Sequence, residues 1–164
     1  MLIDVKKLFD TYTEPVCVSV SADLSEDDFP GYSVPEPADV NVTLTMSGRL
    51  IELAIKVTAQ IQFECARCLE ECSRQFEVER TYTIREADFD DPDAELPFTP
   101  EGRLDVKELA YDELLLEIPT VLLCSDDCAG LCPVCGNRKP CSCRHETSDP
   151  VDERLSILKQ LLKD

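Results

Sequence analysis

Ten cysteines supply most of the chemistry available to this 164-residue chain. Eight of them form four closely spaced pairs, namely Cys65-x2-Cys68, Cys124-x3-Cys128, Cys132-x2-Cys135 and Cys141-x-Cys143. Two thiolates in a C-x2-C turn can both reach one tetrahedral metal ion at about 2.3 Å. The start of the chain carries no export signal, so we expect a reducing compartment, where such spacings indicate metal ligands or redox thiols rather than disulfides.

The clearest candidate metal site consists of Cys132, Cys135, Cys141 and Cys143. Pro133 stiffens the first turn, and Gly136 lets the chain reverse with its backbone amides free to point at sulfur. The second pair follows after only five residues, close enough to complete four ligands. The alternative, four free thiols in a turn, would leave reactive groups without an evident purpose.

A second four-thiolate site would unite Cys65 and Cys68 with Cys124 and Cys128. This combination is attractive because it uses both remaining pairs. Two alternatives stay open, a redox dithiol at Cys65 and Cys68 or structural cysteines without metal. We expect zinc in both sites, although the sequence does not distinguish zinc from iron.

Three further residues near these pairs have simpler interpretations. Cys17 and Cys72 are predicted to be small buried apolar side chains within strands. His145 is the only histidine and could replace a cysteine ligand. Because four thiols are already at hand, we leave it out of the ligand set.

Strand patterning in the first half of the chain would position the first cysteine pair. Apolar residues alternate over 16–20, 40–46, 51–65 and 74–84. At about 3.3 Å per residue the third run would extend for about 50 Å, too long for a flat strand in a small domain. We therefore expect a curled antiparallel sheet in which 51–65 pairs with 74–84 and Cys65 lies at the hairpin tip.

Two helices and one acidic segment complete the pattern. Asp105 is a predicted N-cap with Glu108 three residues later, and Pro119 follows the end of that helix. Asp149-Pro150 begins a predicted C-terminal helix whose apolar stripe is Val151, Leu155, Leu158 and Leu162. Segment 86–102 holds seven acidic residues, three prolines and no Lys or Arg. It is predicted to be a solvated mobile loop, with an acidic arm for a basic partner as the alternative.

These elements predict an α+β fold. It combines a curled antiparallel β-sheet or partial barrel, a packed helix, a Cys-rich zinc-ribbon-like module and a C-terminal helix. The expected divisions are a β-rich domain over 1–123, a Cys-rich zinc module over 124–148 and the C-terminal amphipathic helix over 149–164.

The charge of the chain limits its partners. Sixteen Lys and Arg against 34 Asp and Glu give a net charge of −18, which argues against a general nucleic-acid wrapper. Locally, 132–145 contains no acid, so Arg138, Lys139 and Arg144 form a candidate contact for RNA or another partner. There is no run of 18 apolar residues, so we expect a cytoplasmic protein without a membrane span.

Several of these motifs resemble the YceD family, the large ribosomal RNA subunit accumulation proteins. Cys65-Ala66-Arg67-Cys68-Leu69 is similar to the family's C-x-R-C-L signature, and residues 113–119 (ELLLEIP) resemble its acidic-aliphatic stretch. Residues 124–136 (CSDDCAGLCPVCG) resemble the block of its cysteine-rich members, and residues 149–158 resemble their terminal helix. Segment 137–140 departs from the family pattern by being shorter and more basic.

The resemblance implies a non-enzymatic factor needed for normal synthesis, processing or stability of 23S ribosomal RNA. We expect its partners to be basic ribosomal proteins or the large-subunit precursor, with direct ribosomal RNA contact as a second route and no small-molecule substrate. A single histidine and closed cysteine sets disfavour a zinc hydrolase. The alternatives are a thiol-disulfide oxidoreductase or redox sensor using Cys65 and Cys68, and a transcription-type zinc ribbon, which the net charge disfavours.

Overall fold

The computed structural model describes residues 1–11, 14–91 and 94–143. The predicted C-terminal helix over 149–164, together with Arg144 and His145, lies outside the described residues. The elements in chain order are β1 (Leu2–Asp4), α1 (Lys6–Thr11), β2 (Val16–Ala22), β3 (Tyr32–Ser33), β4 (Ala38–Ser47), β5 (Leu50–Glu64), β6 (Glu71–Ile84), a 3-10 turn (Glu86–Asp90), β7 (Arg103–Asp105) and α2 (Val106–Glu117). No helix in these ranges is long and apolar enough to cross a bilayer.

Strand β5 is the centre of a five-stranded antiparallel sheet. It pairs with β6 along nearly its whole length and, on its other side, with β4 and then with β3. Strand β2 pairs with the outer side of β4, and β1 pairs with β7 in a separate two-stranded sheet. Because long strands twist, the sheet curls into a half-barrel, as the length of β5 predicts.

Alternation of side chains along β5 builds the core. Every second residue from Ile51 to Phe63 is buried, while the intervening residues face the other side of the sheet. Helix α2 begins at the predicted N-cap, where the Asp105 carboxylate accepts a hydrogen bond from the backbone N–H of Lys107 at 3.0 Å. The helix buries Leu109 and Leu114 against the sheet. The predicted α+β class with a curled antiparallel sheet is confirmed.

One charged side chain is buried where α2 meets β6. Glu113 is 1% exposed, and its carboxylate accepts a hydrogen bond from the Tyr82 hydroxyl. Arg80 Nε lies 3.4 Å from the second carboxylate oxygen. Burial, and then the contact with Glu113, raises the pKa of Tyr82 above its usual range. This polar contact fixes α2 on the sheet, since a buried carboxylate without partners would be costly.

The structure corrects two predictions about surface and core. In the acidic segment 86–102, Leu96 is buried. The rings of Phe89 and Phe98 pack edge to face, with their centroids 4.9 Å apart. The described part of the segment is therefore anchored to the fold rather than a solvated loop. Packing of these apolar side chains against the core outweighs the charge run there. Cys17 is exposed on the outer face of β2, with Sγ 3.8 Å from Thr43 Oγ1, because its neighbours in the alternation face the core. Cys72 is half-buried.

Candidate metal centres

The first cluster, which we call site 1, consists of Cys65, Cys68, Cys124 and Cys128. The first two cysteines follow β5 at the tip of the β5–β6 hairpin, and the other two follow α2 in the chain. Their four Sγ atoms lie within 4.8 Å of one another, with Cys65 3.8 Å from Cys128 and Cys68 3.7 Å from Cys124. These separations suit four ligands of one tetrahedral ion.

Backbone hydrogen bonds define the turn that carries Cys65 and Cys68. The N–H of Cys65 donates to Glu70 O at 2.9 Å, and the N–H of Leu69 donates to Cys65 O at 2.9 Å. Leu69 has a φ of 58°, the left-handed conformation that lets the chain turn back into β6. The chain thus forms a tight knuckle with both sulfur atoms on one side.

Arg67 holds the two halves of site 1 together. Its guanidinium donates to the backbone carbonyls of Asp126 at 3.2 Å and Cys128 at 3.1 Å. Next to it, the N–H of Ala66 donates to Leu122 O at 2.9 Å. In the sequence, Arg67 stands out only as part of the C-x-R-C-L signature, and its place between two cysteines is the one signal of this role.

The second cluster, site 2, consists of Cys132, Cys135, Cys141 and Cys143. Their Sγ atoms also lie within 4.8 Å of one another. The knuckle repeats the first one: the N–H of Cys132 donates to Asn137 O at 2.7 Å, and the N–H of Gly136 donates to Cys132 O at 2.8 Å. The amides of Val134 and Cys135 point at Cys132 Sγ at 3.3 and 3.4 Å.

The electrostatics of both clusters suit a cation. The backbone N–H of Cys124 lowers the pKa of Cys65 to about 6, with smaller contributions from the amides of Arg67 and Cys68. In site 2, contact with Cys135 and then burial raise the pKa of Cys143 to about 12. Site 1 therefore contains a thiol that ionises readily, and site 2 contains a thiol whose ionisation is opposed by its surroundings. A divalent ion would remove that opposition, so the donor sets fit a metal.

Close backbone packing joins the two sites. The N–H of Leu131 donates to Arg67 O at 3.0 Å, and the N–H of Lys139 donates to Gly130 O at 3.0 Å. Gly130 has a φ of 70°, and a Cβ there would lie 3.0 Å from Arg67 O. Glycine is needed at this position both for its conformation and for this approach.

The basic residues singled out in the sequence have different surroundings. Arg138 pairs with Glu70, and its Nη2 lies 3.9 Å from Cys124 Sγ, so its guanidinium faces site 1. Lys139 is half-buried, and Arg144 lies outside the described residues. The partnership of Arg138 with Glu70 was missed in the sequence because 68 positions separate the two residues.

Comparison with known proteins places the chain in a family. The model of the large ribosomal RNA subunit accumulation protein YceD matches residues 53–162, which include β6, α2 and both cysteine clusters. The chain belongs to the YceD family. Membership supports a role in ribosome biogenesis, and each cluster could hold a metal ion.

Sequences similar to this chain occur in mycobacteria. Uncharacterized proteins of Mycobacterium bovis and Mycobacterium tuberculosis are each 33% identical to it over 101 residues, which is 57% of this chain and 48% of the relative. The chain thus spans about half the length of the curated relatives that it matches. No solved structure matches it significantly.

Proposed function

We propose that this protein is a non-enzymatic ribosome-biogenesis factor that supports the synthesis, processing or stability of 23S ribosomal RNA. It acts in the cytoplasm by binding a large-subunit ribosomal protein or precursor particle, and metal fixes the shape of its cysteine-rich end. The observation that carries this proposal is the family match over residues 53–162, which includes both four-cysteine clusters.

The metal part of the proposal assigns four thiolates to each ion. Site 1 takes Cys65, Cys68, Cys124 and Cys128, and site 2 takes Cys132, Cys135, Cys141 and Cys143. Four sulfur ligands leave no open position for water, and closed sites of this kind are typical of structural zinc. The ions replace the hydrophobic core that segments this short cannot build. The division of the chain at 123/124 and 148/149 stays a prediction, and site 1 draws ligands from both sides of the first boundary.

Charge favours a basic protein partner over naked RNA. The face of the sheet opposite the core carries the exposed acids Asp39, Glu52, Glu64, Glu71, Glu77 and Glu79. On the same face Lys56 is already paired, 2.7 Å from Glu77 and 2.8 Å from Glu79. Such a surface repels phosphate and complements a basic ribosomal protein. A contact of Arg138, Lys139 and Arg144 with RNA is the second route in this proposal.

Thiol chemistry at Cys65 and Cys68 is the alternative function. The lowered pKa of Cys65, about 6, is a property of reactive cysteines. Cys65 is however fully buried, and its Sγ lies within 4.8 Å of three other thiols. Attack by that sulfur on a second molecule would require the cluster to open.

Recovery of partners with the tagged 164-residue chain tests the proposal. Lysate is prepared at low salt with zinc retained, half of it is treated with ribonuclease, and bound protein and RNA are identified. We expect large-subunit ribosomal proteins to remain bound after ribonuclease and to be released by added salt. If ribonuclease removes the RNA and all of the bound protein with it, the RNA route is supported instead. Absence of ribosomal protein, precursor and ribosomal RNA from both halves would overturn the proposed function.

A further inference from the structure

Arg138 belongs to one cysteine cluster by sequence and to the other by contact. It lies in the loop between Cys135 and Cys141 of site 2, and its backbone forms a bridge with Leu131. Its guanidinium reaches out of that loop, with Nη1 on the Glu70 carboxylate and Nη2 3.9 Å from Cys124 Sγ of site 1. A side chain held by site 2 thus donates to a candidate ligand of site 1.

We propose that Arg138 couples the two clusters, so that metal bound in site 2 increases the retention of metal in site 1. The inference rests on the metal sites of the proposed function and adds a dependence between them. Arg138 is a positioning residue here, because it contacts a ligand and would not itself bind the ion.

The physical reason is the charge of a four-thiolate site. Four thiolates around a divalent ion leave a net charge of −2, and a guanidinium beside one sulfur disperses part of it. Partners of this kind, outside the ligands themselves, typically change metal affinity 10- to 100-fold. Arg138 is half-exposed, with 53% of its side chain accessible, so we expect a change near the lower end of that range.

Dependence on site 2 follows from where the loop is attached. Cys135 precedes Arg138 and Cys141 follows it, so an ion bound by both cysteines fixes the loop at its two ends. Without that ion, backbone contacts such as the Leu131–Arg138 bridge still hold the loop, but less firmly, so keeping Arg138 against Glu70 and Cys124 would cost additional conformational entropy. The direct link through Arg67 O and Leu131 N lies before the loop and does not require the ion in site 2. Coupling is therefore expected to act through the Arg138 side chain.

Thermodynamic linkage makes the effect reciprocal. If metal in site 2 raises the affinity of site 1 for metal by some factor, metal in site 1 raises the affinity of site 2 by the same factor. Both directions are therefore measurable on the full chain, and neither needs an activity assay.

Cadmium-113 NMR of the 164-residue chain tests this proposal, because each cadmium-filled cluster gives its own resonance. The Cys141→Ser/Cys143→Ser and Cys65→Ser/Cys68→Ser variants assign the two signals. A chelator titration then measures retention at site 1 in the parent, in Arg138→Ala, in Cys141→Ser/Cys143→Ser and in the combined variant. Lys139→Ala is the matched control. It removes the neighbouring positive charge but keeps the backbone hydrogen bond from residue 139 to Gly130 O.

We expect Arg138→Ala and loss of site 2 each to weaken cadmium retention at site 1 about 10-fold, and the combined variant to be no weaker than either. Lys139→Ala is expected to match the parent. A site 2 resonance unchanged in Arg138→Ala shows that the loop is still folded, and Glu70→Gln, which leaves the loop intact, should give a smaller loss. Parental retention in Arg138→Ala, or additive effects in the combined variant, would overturn the coupling alone. Absence of both resonances from the parent would overturn the metal sites and the coupling together.

Discussion

Leu69 and Gly136 occupy the same position in two different knuckles. Each donates its backbone N–H to the carbonyl of the first cysteine of its turn, at 2.9 Å in the first case and 2.8 Å in the second. Each also has a left-handed backbone, with φ values of 58° and 72°. The two C-x2-C turns therefore share one backbone design, although the sequence places a bulky residue in one and glycine in the other. That design aims amides at sulfur without any help from side chains.

Alanine substitutions at two glycines distinguish the free-energy cost of a left-handed backbone from the cost of a steric contact. Gly136→Ala meets no atom within 4 Å, so it should cost only the left-handed penalty of about 1–2 kcal/mol. Gly130→Ala adds a Cβ 3.0 Å from Arg67 O and should destabilise the protein further. Denaturant unfolding of the zinc-loaded chain measures both, with Gly48→Ala, also in open space at a φ of 68°, as the control. If the free energy of unfolding falls by the same amount at all three positions, the close packing between Gly130 and Arg67 is contradicted.

Metal analysis of cysteine variants is the most direct measurement on the two sites. With zinc in excess, we expect two ions per chain, one of which is lost in Cys65→Ser/Cys68→Ser and the other in Cys141→Ser/Cys143→Ser. Each site would lose two of its four sulfur ligands, which leaves too few to hold the ion. Cys17→Ser is the control, because Cys17 is exposed on the sheet and belongs to neither cluster. A single ion that disappears in both double variants would show that the two clusters do not bind independently placed metals.

The sequence predicted most of the sheet because burial has a simple period along a strand. Alternation over β5 and β6 is strict enough to give their pairing and the hairpin tip at Cys65. The short strands β1, β3 and β7 were not predicted, since two or three residues carry no period. Exposure of Cys17 was missed although the alternation of the neighbouring valines places it on the opposite face, because a small apolar side chain was expected in the core.

Long-range polar contacts were the other part that sequence could not supply. Nothing in the sequence indicates that Glu113 of α2 is buried against Tyr82 of β6, or that Glu70 pairs with Arg138. Such partners are chosen by the packing of elements distant in the chain, after the strands have formed. The cysteine pairs and site 2 were accessible because short spacings constrain their geometry locally, and site 1 was then inferred from the two pairs that remained. The ligand roles themselves stay predictions.

Tyr32 should make stability depend on alkaline pH. Its hydroxyl donates to Leu114 O at 3.1 Å, and burial raises its pKa from the usual 10.0 to about 12. The folded state thus holds this proton more tightly than the unfolded state does. The resulting stability is fully present below pH 10 and is lost as pH rises towards about 12. In Tyr32→Phe the pH dependence of unfolding should be shallower over that window, while stability at neutral pH falls by about 1 kcal/mol. An identical slope in parent and variant would show that Tyr32 does not titrate with unfolding.

Glu64 and Glu71 lie directly opposite each other on β5 and β6, and both are exposed. Like charges in this arrangement destabilise a sheet, so Glu71→Lys should stabilise the fold by about 0.2–1 kcal/mol. The same change removes negative charge from the face proposed to bind a basic ribosomal protein, so it should weaken that binding, most strongly at low salt. In Glu71→Lys, the free energy of unfolding should therefore rise while the amount of recovered partner falls, when both are measured on one preparation.

Glu52→Lys, on the same face beside Thr83 near the far end of β5, is the matched control for position. If Glu71→Lys raises stability and leaves recovery unchanged while Glu52→Lys reduces it, the partner binds away from the hairpin tip; if neither reduces it, the acidic face is not the binding surface.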